Sequence, residues 1–292
     1  MKKNIKNRAK SIRTRLLNLK KTTNHQYMYL LSRYFNERLL YRVSVSDYRN
    51  NFVLKGGSLL YALEGLDTRP TVDVDFMADR ISRDRDQLED VFRKILVIPC
   101  EEDAVTFDVA HLLSEPITIG NEYPGTRFFI KARMDTIEHK MTIDVGFGDV
   151  ITPCPETLDF PLLLQDNPAV NLMAYSIETV IAEKFHTMID RDVANSRMKD
   201  FFDCYIILSS HQNIDNDMLQ NAIFATFDNR SITFNPNLQL FTEPFYEDEV
   251  RLNRWKSFLK KIKWKEDISF AEVMRIIRER LQPIYLKYWL NK

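Results

Sequence analysis

Asp73-Val74-Asp75 sets two carboxylates two residues apart. In an extended segment alternate side chains share a face, so both emerge together. Residues 71–77 alternate cleanly, with Val72, Val74 and Phe76 opposing Thr71, Asp73 and Asp75. Two like charges that close repel, and one stays protonated unless a cation joins them. A divalent cation removes the conflict, and hard oxygen ligands suit Mg²⁺ or Mn²⁺. Asp144 lies on a second alternating stretch, where Met141, Ile143, Val145 and Phe147 oppose Thr142, Asp144 and Gly146. It is the third metal carboxylate expected on that sheet face. The competing reading has each carboxylate capping a turn or pairing with a nearby Arg. A lone Asp-x-Asp favours that alternative; the preceding Gly-Gly-Ser turn and the later strand Asp favour the metal.

Lys55-Gly56-Gly57-Ser58 follows a short strand at 51–54 and opens a helix from Ser58 to about Glu64, with Gly65 as its stop. Glycines let backbone N–H groups approach a ligand closely, and a helix N-terminus favours an anion. Ser58 is also an ordinary helix cap. Beside a carboxylate-rich strand the turn can hold the phosphates of a nucleotide, with Lys55 and Arg69 adding charge. The Walker A spacing is absent.

Residues 176–190 read as a helix capped by Ser176, with Ile177, Val180, Ile181, Phe185 and Met188 as its apolar stripe. Lys184 falls inside that stripe, where a lysine is expensive unless it meets an anion. It either pairs with an Asp, snorkels to water, or reaches across a cleft to a triphosphate. Asp200 and Asp203 share a helix face and could hold Lys184, an Arg or a substrate hydroxyl. His186 is expected on the polar, exposed side.

These residues need a scaffold. Helical periodicity runs to about residue 48 through Leu16, Leu17, Tyr27, Leu30, Leu31, Tyr34, Leu39 and Leu40. Residues 127–134 alternate, Phe128, Ile130, Ala132 and Met134 against Arg127, Phe129, Lys131 and Arg133, and Asp135–Glu138 would join them to 140–147 as a hairpin. From about 161 onward the pattern is mainly helical. The expectation is a mixed α+β fold: a sheet core flanked by helices over residues 1–160, then a helical domain over 161–292.

The chain has 292 residues, 45% of them hydrophobic, which is enough for roughly two domains without a structural metal or disulfide. Forty-one basic and 41 acidic residues balance, so neither disorder nor a wholesale polycation is the starting point. The distribution is lopsided: residues 1–36 hold ten Lys or Arg and no acid, and residues 251–265 hold seven, with two tryptophans and no acid. Two such runs, one with interleaved aromatics, point beyond solvated helix faces to a phosphate-bearing partner. No window is apolar enough to span a membrane. The basic N-terminus has the charge of a transit peptide but runs straight into a helical pattern. Cys100, Cys154 and Cys204 are odd in number and far apart, so a reducing, cytoplasmic location is expected.

Four ordered blocks, NERLLYRVSVSDYRNNFVLKGG, LKGGSLLYALEGLDTRPTVDVDF, KMTIDVGFGDVITP and IETVIAEKFHTMIDRDVANSRMKDFFDCY, resemble the AbiEii/AbiGii-type nucleotidyltransferase toxins over roughly residues 25–210. That family belongs to the DNA polymerase β-like nucleotidyltransferase superfamily. The resemblance implies a bacterial toxin–antitoxin or abortive-infection protein with a separately encoded antitoxin. It implies an NTP co-substrate and, as in some members, an RNA acceptor at the 3′ end of tRNA. It places Gly57 and Ser58 on the Gly-Ser motif, Asp73 and Asp75 on the paired metal carboxylates, and Asp144 on the superfamily's third carboxylate. Lys184 falls on the helical lysine and Asp200 on the Lys-Asp motif. The interval from Ser58 to Asp73 is somewhat long, which lengthens a loop. The chemistry expected is attack of an acceptor hydroxyl on the α-phosphate, with pyrophosphate leaving. In it Asp144 helps to orient or deprotonate the acceptor, and Ser58, the glycine amides and Lys184 hold the triphosphate. The rivals are a phosphotransferase on the same site, which releases NDP, a non-enzymatic binding module, and a metal-dependent nuclease, which needs no NTP.

Overall fold

The structure, a computed structural model, describes residues 2–23, 25–117, 125–290 and 292, with the backbone alone for residues 2–6 and Asp67. The side chains of Lys2, Lys3 and Lys6, part of the N-terminal basic run, therefore lie outside the described part. The chain divides into two compact units, Met1–Gly148 with Glu156–Ala174, and Asp149–Pro155 with Tyr175–Lys292.

The first unit is the α+β part. It runs α1 (Lys2–Thr23), α2 (Tyr27–Ser44), β1 (Phe52–Lys55), α3 (Gly56–Glu64), β2 (Val74–Ala78) and α4 (Arg85–Leu96). The strands β3 (Thr106–Phe107), β4 (Leu113–Ile117), β5 (Gly125–Met134), β6 (Ile137–Phe147), β7 (Glu156–Asp159) and β8 (Asn171–Ala174) follow. They form one mixed sheet in the order β3-β5-β6-β2-β1-β8-β7, with β4 also on β5. β1 and β2 are antiparallel, β2 and β6 parallel, β5 and β6 antiparallel. One sheet face is the core. Phe52, Phe76, Phe92 and Phe128, all at 0% exposure, join β1, β2, α4 and β5 through ring contacts of 4.5–5.6 Å. Alternation explains this face: Ile143, Val145 and Phe147 are buried, while Thr142, Asp144 and Gly146 are partly open on the other side.

Three local expectations change. β2 begins at Val74, and Val72, expected inward, is 54% exposed. The last rung between β1 and β2 is Lys55–Asp75, so the chain before Val74 has no β1 partner to hold it in register. The hairpin turn is two residues, Asp135 and Thr136, with Met134 paired to Ile137 and Asp135 at φ +55°, a conformation Asp tolerates. Finally, the stretch after about residue 161, expected to be mainly helical, also contains β8, which pairs in parallel with β1.

The second unit is helical: α5 (Ile177–Arg191), α6 (Met198–Ser210), α7 (Asn216–Asn229), α8 (Glu243–Tyr246), α9 (Glu249–Ile262) and α10 (Phe270–Leu290). Ser176 caps α5 as expected, accepting from the Thr179 N–H at 3.3 Å. Its core is aromatic, with Phe185 against Phe227 and Phe202 against Trp255 and Trp264. Among the described residues no helix is long and apolar enough to cross a membrane.

Candidate active site

The turn between β1 and α3 is built around its glycines. Helix α3 starts at Gly56 rather than Ser58, with Lys55 at the cap position. Gly56 has φ +66°, and a Cβ there would overlap the Asp75 carboxylate oxygen Oδ2. A Cβ on Gly57 would meet Thr71 Oγ1 at 2.6 Å. The first turn of α3 thus lies directly on residues 71–75, and only glycine permits that approach. Ser58 is not the cap: it is fully buried, and its hydroxyl donates to the Asp73 carbonyl at 3.2 Å. Asn36 of α2 donates to the Val72 carbonyl, also at 3.2 Å. The segment carrying both carboxylates is therefore tied down from two helices. Arg69 lies in the connection between α3 and β2, partly exposed.

Gly56→Ala is expected to destabilise the protein by about 1–3 kcal/mol, through the left-handed backbone and the clash with Asp75. It should also displace that carboxylate. Gly65→Ala is the control: Gly65 has φ +77° but nothing within 4 Å of a Cβ. Thermal melts should show both variants weakened, and only Gly56→Ala should lose the nucleotidyl transfer expected from the sequence. Equal loss in both would mean that the contact with Asp75 is unimportant.

Across the sheet, one register row carries four charges. Lys55 on β1 pairs with Asp75 on β2, Asp75 with Asp144 on β6, and Asp144 with Arg127 on β5. All four are partly exposed and lie on the face opposite the aromatic core. The Lys55 stem crosses β2, since its Nζ is 3.2 Å from where a Cβ of Gly146 on β6 would sit. Arg127 grips Asp144 with two parallel bonds, Nε to Oδ1 and Nη2 to Oδ2, each 2.8 Å. These bonds raise the guanidinium pKa, with a smaller contribution from Asp73. The sheet thus brings Lys55, Gly56, Gly57, Asp73, Asp75 and Asp144 into one region, with Arg127 as an addition.

The donor chemistry can be tested against a divalent metal. Mg²⁺ keeps several waters and is commonly held by one or two carboxylates plus substrate phosphates. Asp73 and Asp75 fit that pattern. Among the described residues no group of three His, Cys, Asp or Glu side chains is gathered to hold a metal ion. Asp144 meets a guanidinium with both oxygens.

In the second unit, Lys184 of α5 lies 2.6 Å from Asp203 Oδ2 and 3.4 Å from Asp200 Oδ1, both on α6. Arg197 Nε adds a 2.5 Å bond to Asp200 Oδ2. Burial pushes the Asp200 carboxyl up, but Lys184 and Arg197 more than reverse this and hold it below its ordinary value. Of the partners open to the two aspartates, both a lysine and an arginine are present. Arg230 forms a second network that sequence reasoning missed, reaching Asp149 at 2.6 Å and Glu183 at 3.0 Å. His186, expected exposed, is instead partly buried against Phe227, which lowers its pKa.

The basic runs also change. Arg33 is buried, stacked 3.2 Å over the Tyr61 ring, and Arg15 pairs with Asp166. Arg251 is buried and donates to the Phe245 and Val193 carbonyls. Trp255 is 2% exposed, and Trp264 packs edge-on against Phe202, so the interleaved tryptophans serve the core. Arg254, Lys256, Lys260, Lys261, Lys263 and Lys265 remain exposed.

The family described as nucleotidyl transferase AbiEii toxin, Type IV TA system, matches residues 38–275. JHP933 from Helicobacter pylori is similar in structure, with TM-score 0.50 and 14% identity, over 89% of this chain and 94% of that one. A candidate nucleotidyltransferase from H. pylori gives TM-score 0.51 and 13% identity, over 92% of this chain and 99% of that one. At these identities the two structures speak to the fold. A comparison with proteins of curated function gave no match.

Proposed function

The chain belongs to the AbiEii nucleotidyl transferase toxin family and is a nucleotidyltransferase, and from that premise we propose that Asp73 and Asp75 are its metal-binding carboxylates. The observation that carries this reading is the anchoring of both to the first turn of α3, where Ser58 fixes the Asp73 main chain and Gly56 admits the Asp75 carboxylate. A Mg²⁺ or Mn²⁺ ion bound there would neutralise phosphate charge and orient the NTP.

Lys55 and the amides of Gly56 and Gly57 then face the triphosphate, with Arg69 as a further cation. Ser58 acts through position: its buried hydroxyl sets Asp73. Lys184 and Asp200 are proposed as the helical part of the machinery, Asp200 and Asp203 holding the lysine in place. The acceptor hydroxyl gives up its proton to water as its oxygen bonds the α-phosphorus, the bond from that phosphorus to the α,β-bridging oxygen breaks, and pyrophosphate leaves. Fixed charges and positioning supply most of the rate.

We further propose an RNA acceptor, the 3′ end of tRNA. The six exposed bases between Arg254 and Lys265 support a polyanionic partner. The Type IV toxin–antitoxin family supports a separately encoded antitoxin, and a cytoplasmic site of action accords with both.

Label transfer tests the reading. The protein is mixed with Mg²⁺, total tRNA and each α-³²P-labelled NTP in turn, beside Asp75→Ala. Label on tRNA from the parent alone, released with pyrophosphate, is the expected result and names the base. NDP as product would replace transfer of a nucleotide with transfer of a phosphate. RNA cleavage without NTP would replace it with a nuclease.

A further inference from the structure

We infer that Arg127 is a substrate-binding residue of this site and that Asp144 is its positioning partner rather than a metal ligand. The inference rests on the metal-site reading of Asp73 and Asp75. Its basis is the register row, in which Lys55 and Arg127 flank Asp75 and Asp144 on adjacent strands. Neighbouring like charges across strands are unfavourable, and here the protein supplies a cation on each side.

Asp144 has a well-defined partner in Arg127. Both of its oxygens accept from one guanidinium at 2.8 Å, the planar geometry that makes Arg–carboxylate pairs strong. A metal would have to compete with Arg127 for those oxygens. The pair also fixes the guanidinium. Asp144 uses two of its five N–H groups, and its side chain is 39% exposed. Arg127 stands on the face that carries Asp75 and Asp144, its main chain about two strand spacings, roughly 10 Å, from that of Asp75. A planar cation held beside a carboxylate pair is suited to phosphate oxygens, which it can bind in bidentate fashion. Asp144 thus fixes the direction of Arg127, and Arg127 meets the NTP.

Two binding measurements separate the roles. Mn²⁺ affinity is read by electron paramagnetic resonance, and affinity for each of the four NTPs by calorimetry, in the parent and in Asp75→Asn, Asp144→Asn, Arg127→Gln and Arg127→Lys. Asp75→Asn should lose Mn²⁺ binding. Asp144→Asn should keep Mn²⁺ affinity within about threefold but weaken NTP binding, because the guanidinium is no longer fixed. Arg127→Gln should keep Mn²⁺ binding and weaken NTP binding by about tenfold or more, the usual effect of losing charged hydrogen bonds. Arg127→Lys should recover part of that loss, since it keeps the charge without the fork. Thermal melts establish that each variant is folded, and the Arg127→Lys recovery distinguishes phosphate binding from support of the sheet. Loss of Mn²⁺ in Asp144→Asn equal to that in Asp75→Asn overturns this inference while leaving the metal-site reading intact. NTP affinity unchanged in Arg127→Gln also overturns it. Unchanged Mn²⁺ binding in Asp75→Asn removes the metal-site reading, and this inference with it.

Discussion

Asp75→Asn is expected to lower nucleotidyl transfer roughly a thousandfold, the scale of removing a main electrostatic element of a transfer site, while leaving the fold intact. The substitution is isosteric, so the packing of residue 75 over Gly56 survives. The charge is what changes. Asp75 sits beside Asp144 in the parallel register and opposite Lys55 in the antiparallel one. Neutralising it removes the repulsions with Asp73 and Asp144 together with the attraction to Lys55, changes of opposite sign, so stability should move by no more than about 0.5 kcal/mol. The diagnostic is this separation of effects, activity lost with the melting temperature kept. Single-turnover rates beside a thermal melt measure it. Activity within tenfold of the parent would remove Asp75 from the metal site, whatever the family membership of the chain. A large fall in melting temperature would instead make the carboxylate structural, an anchor for the β1–α3 turn.

How far the sequence revealed this site depends on the range of each contact. Local features were legible. The alternation around Phe128–Met134 and Met141–Phe147 identifies the buried face, and Ser176 marks the start of α5. Arg127 shows the limit. A connection of four residues, Asp135–Glu138, sets Met134 opposite His139 and hence Arg127 opposite Gly146. The observed two-residue turn sets Met134 opposite Ile137 and Arg127 opposite Asp144. Because strand periodicity is two, that shift keeps every side chain on its expected face and still changes its partner. Face assignment was therefore secure where pairing was not. Strand β8 fails for a different reason. Its four residues, Asn171–Ala174, are too short to show a period, and its pairing with β1 spans more than a hundred residues of chain. The tryptophans of 251–265 were misleading because composition does not say which side of a helix is covered. Trp255 and Phe258 lie on the side that meets Phe202, while Arg254, Lys256, Lys260 and Lys261 do not.

Lys184→Met carries the largest expected effect on stability, a loss of about 3 kcal/mol, because it strands buried carboxylates. Asp200 and Asp203 are 2% and 0% exposed, and the lysine ammonium is bonded to both. Arg197 continues to serve Asp200, so the larger loss falls on Asp203, whose 2.6 Å bond to Lys184 is gone. At the usual scaling the transition of a unit this size should drop by roughly 9–15 °C. The pH dependence has a definite sign. Asp200 is held below its ordinary pKa, so its contribution is present above the ordinary carboxyl range and disappears as pH falls through the lowered native value. The difference between parent and variant melts should therefore be full near neutrality and shrink in acid. A triple variant, Lys184→Met with Asp200→Asn and Asp203→Asn, removes the stranded charges and should recover most of the stability. Its activity separates the two roles of the lysine. Transfer that stays absent in the stable triple variant means that Lys184 or its aspartates act in the reaction. Transfer that returns with stability would make the cluster a structural clasp between α5 and α6, leaving phosphate binding to Lys55, Arg69 and Arg127.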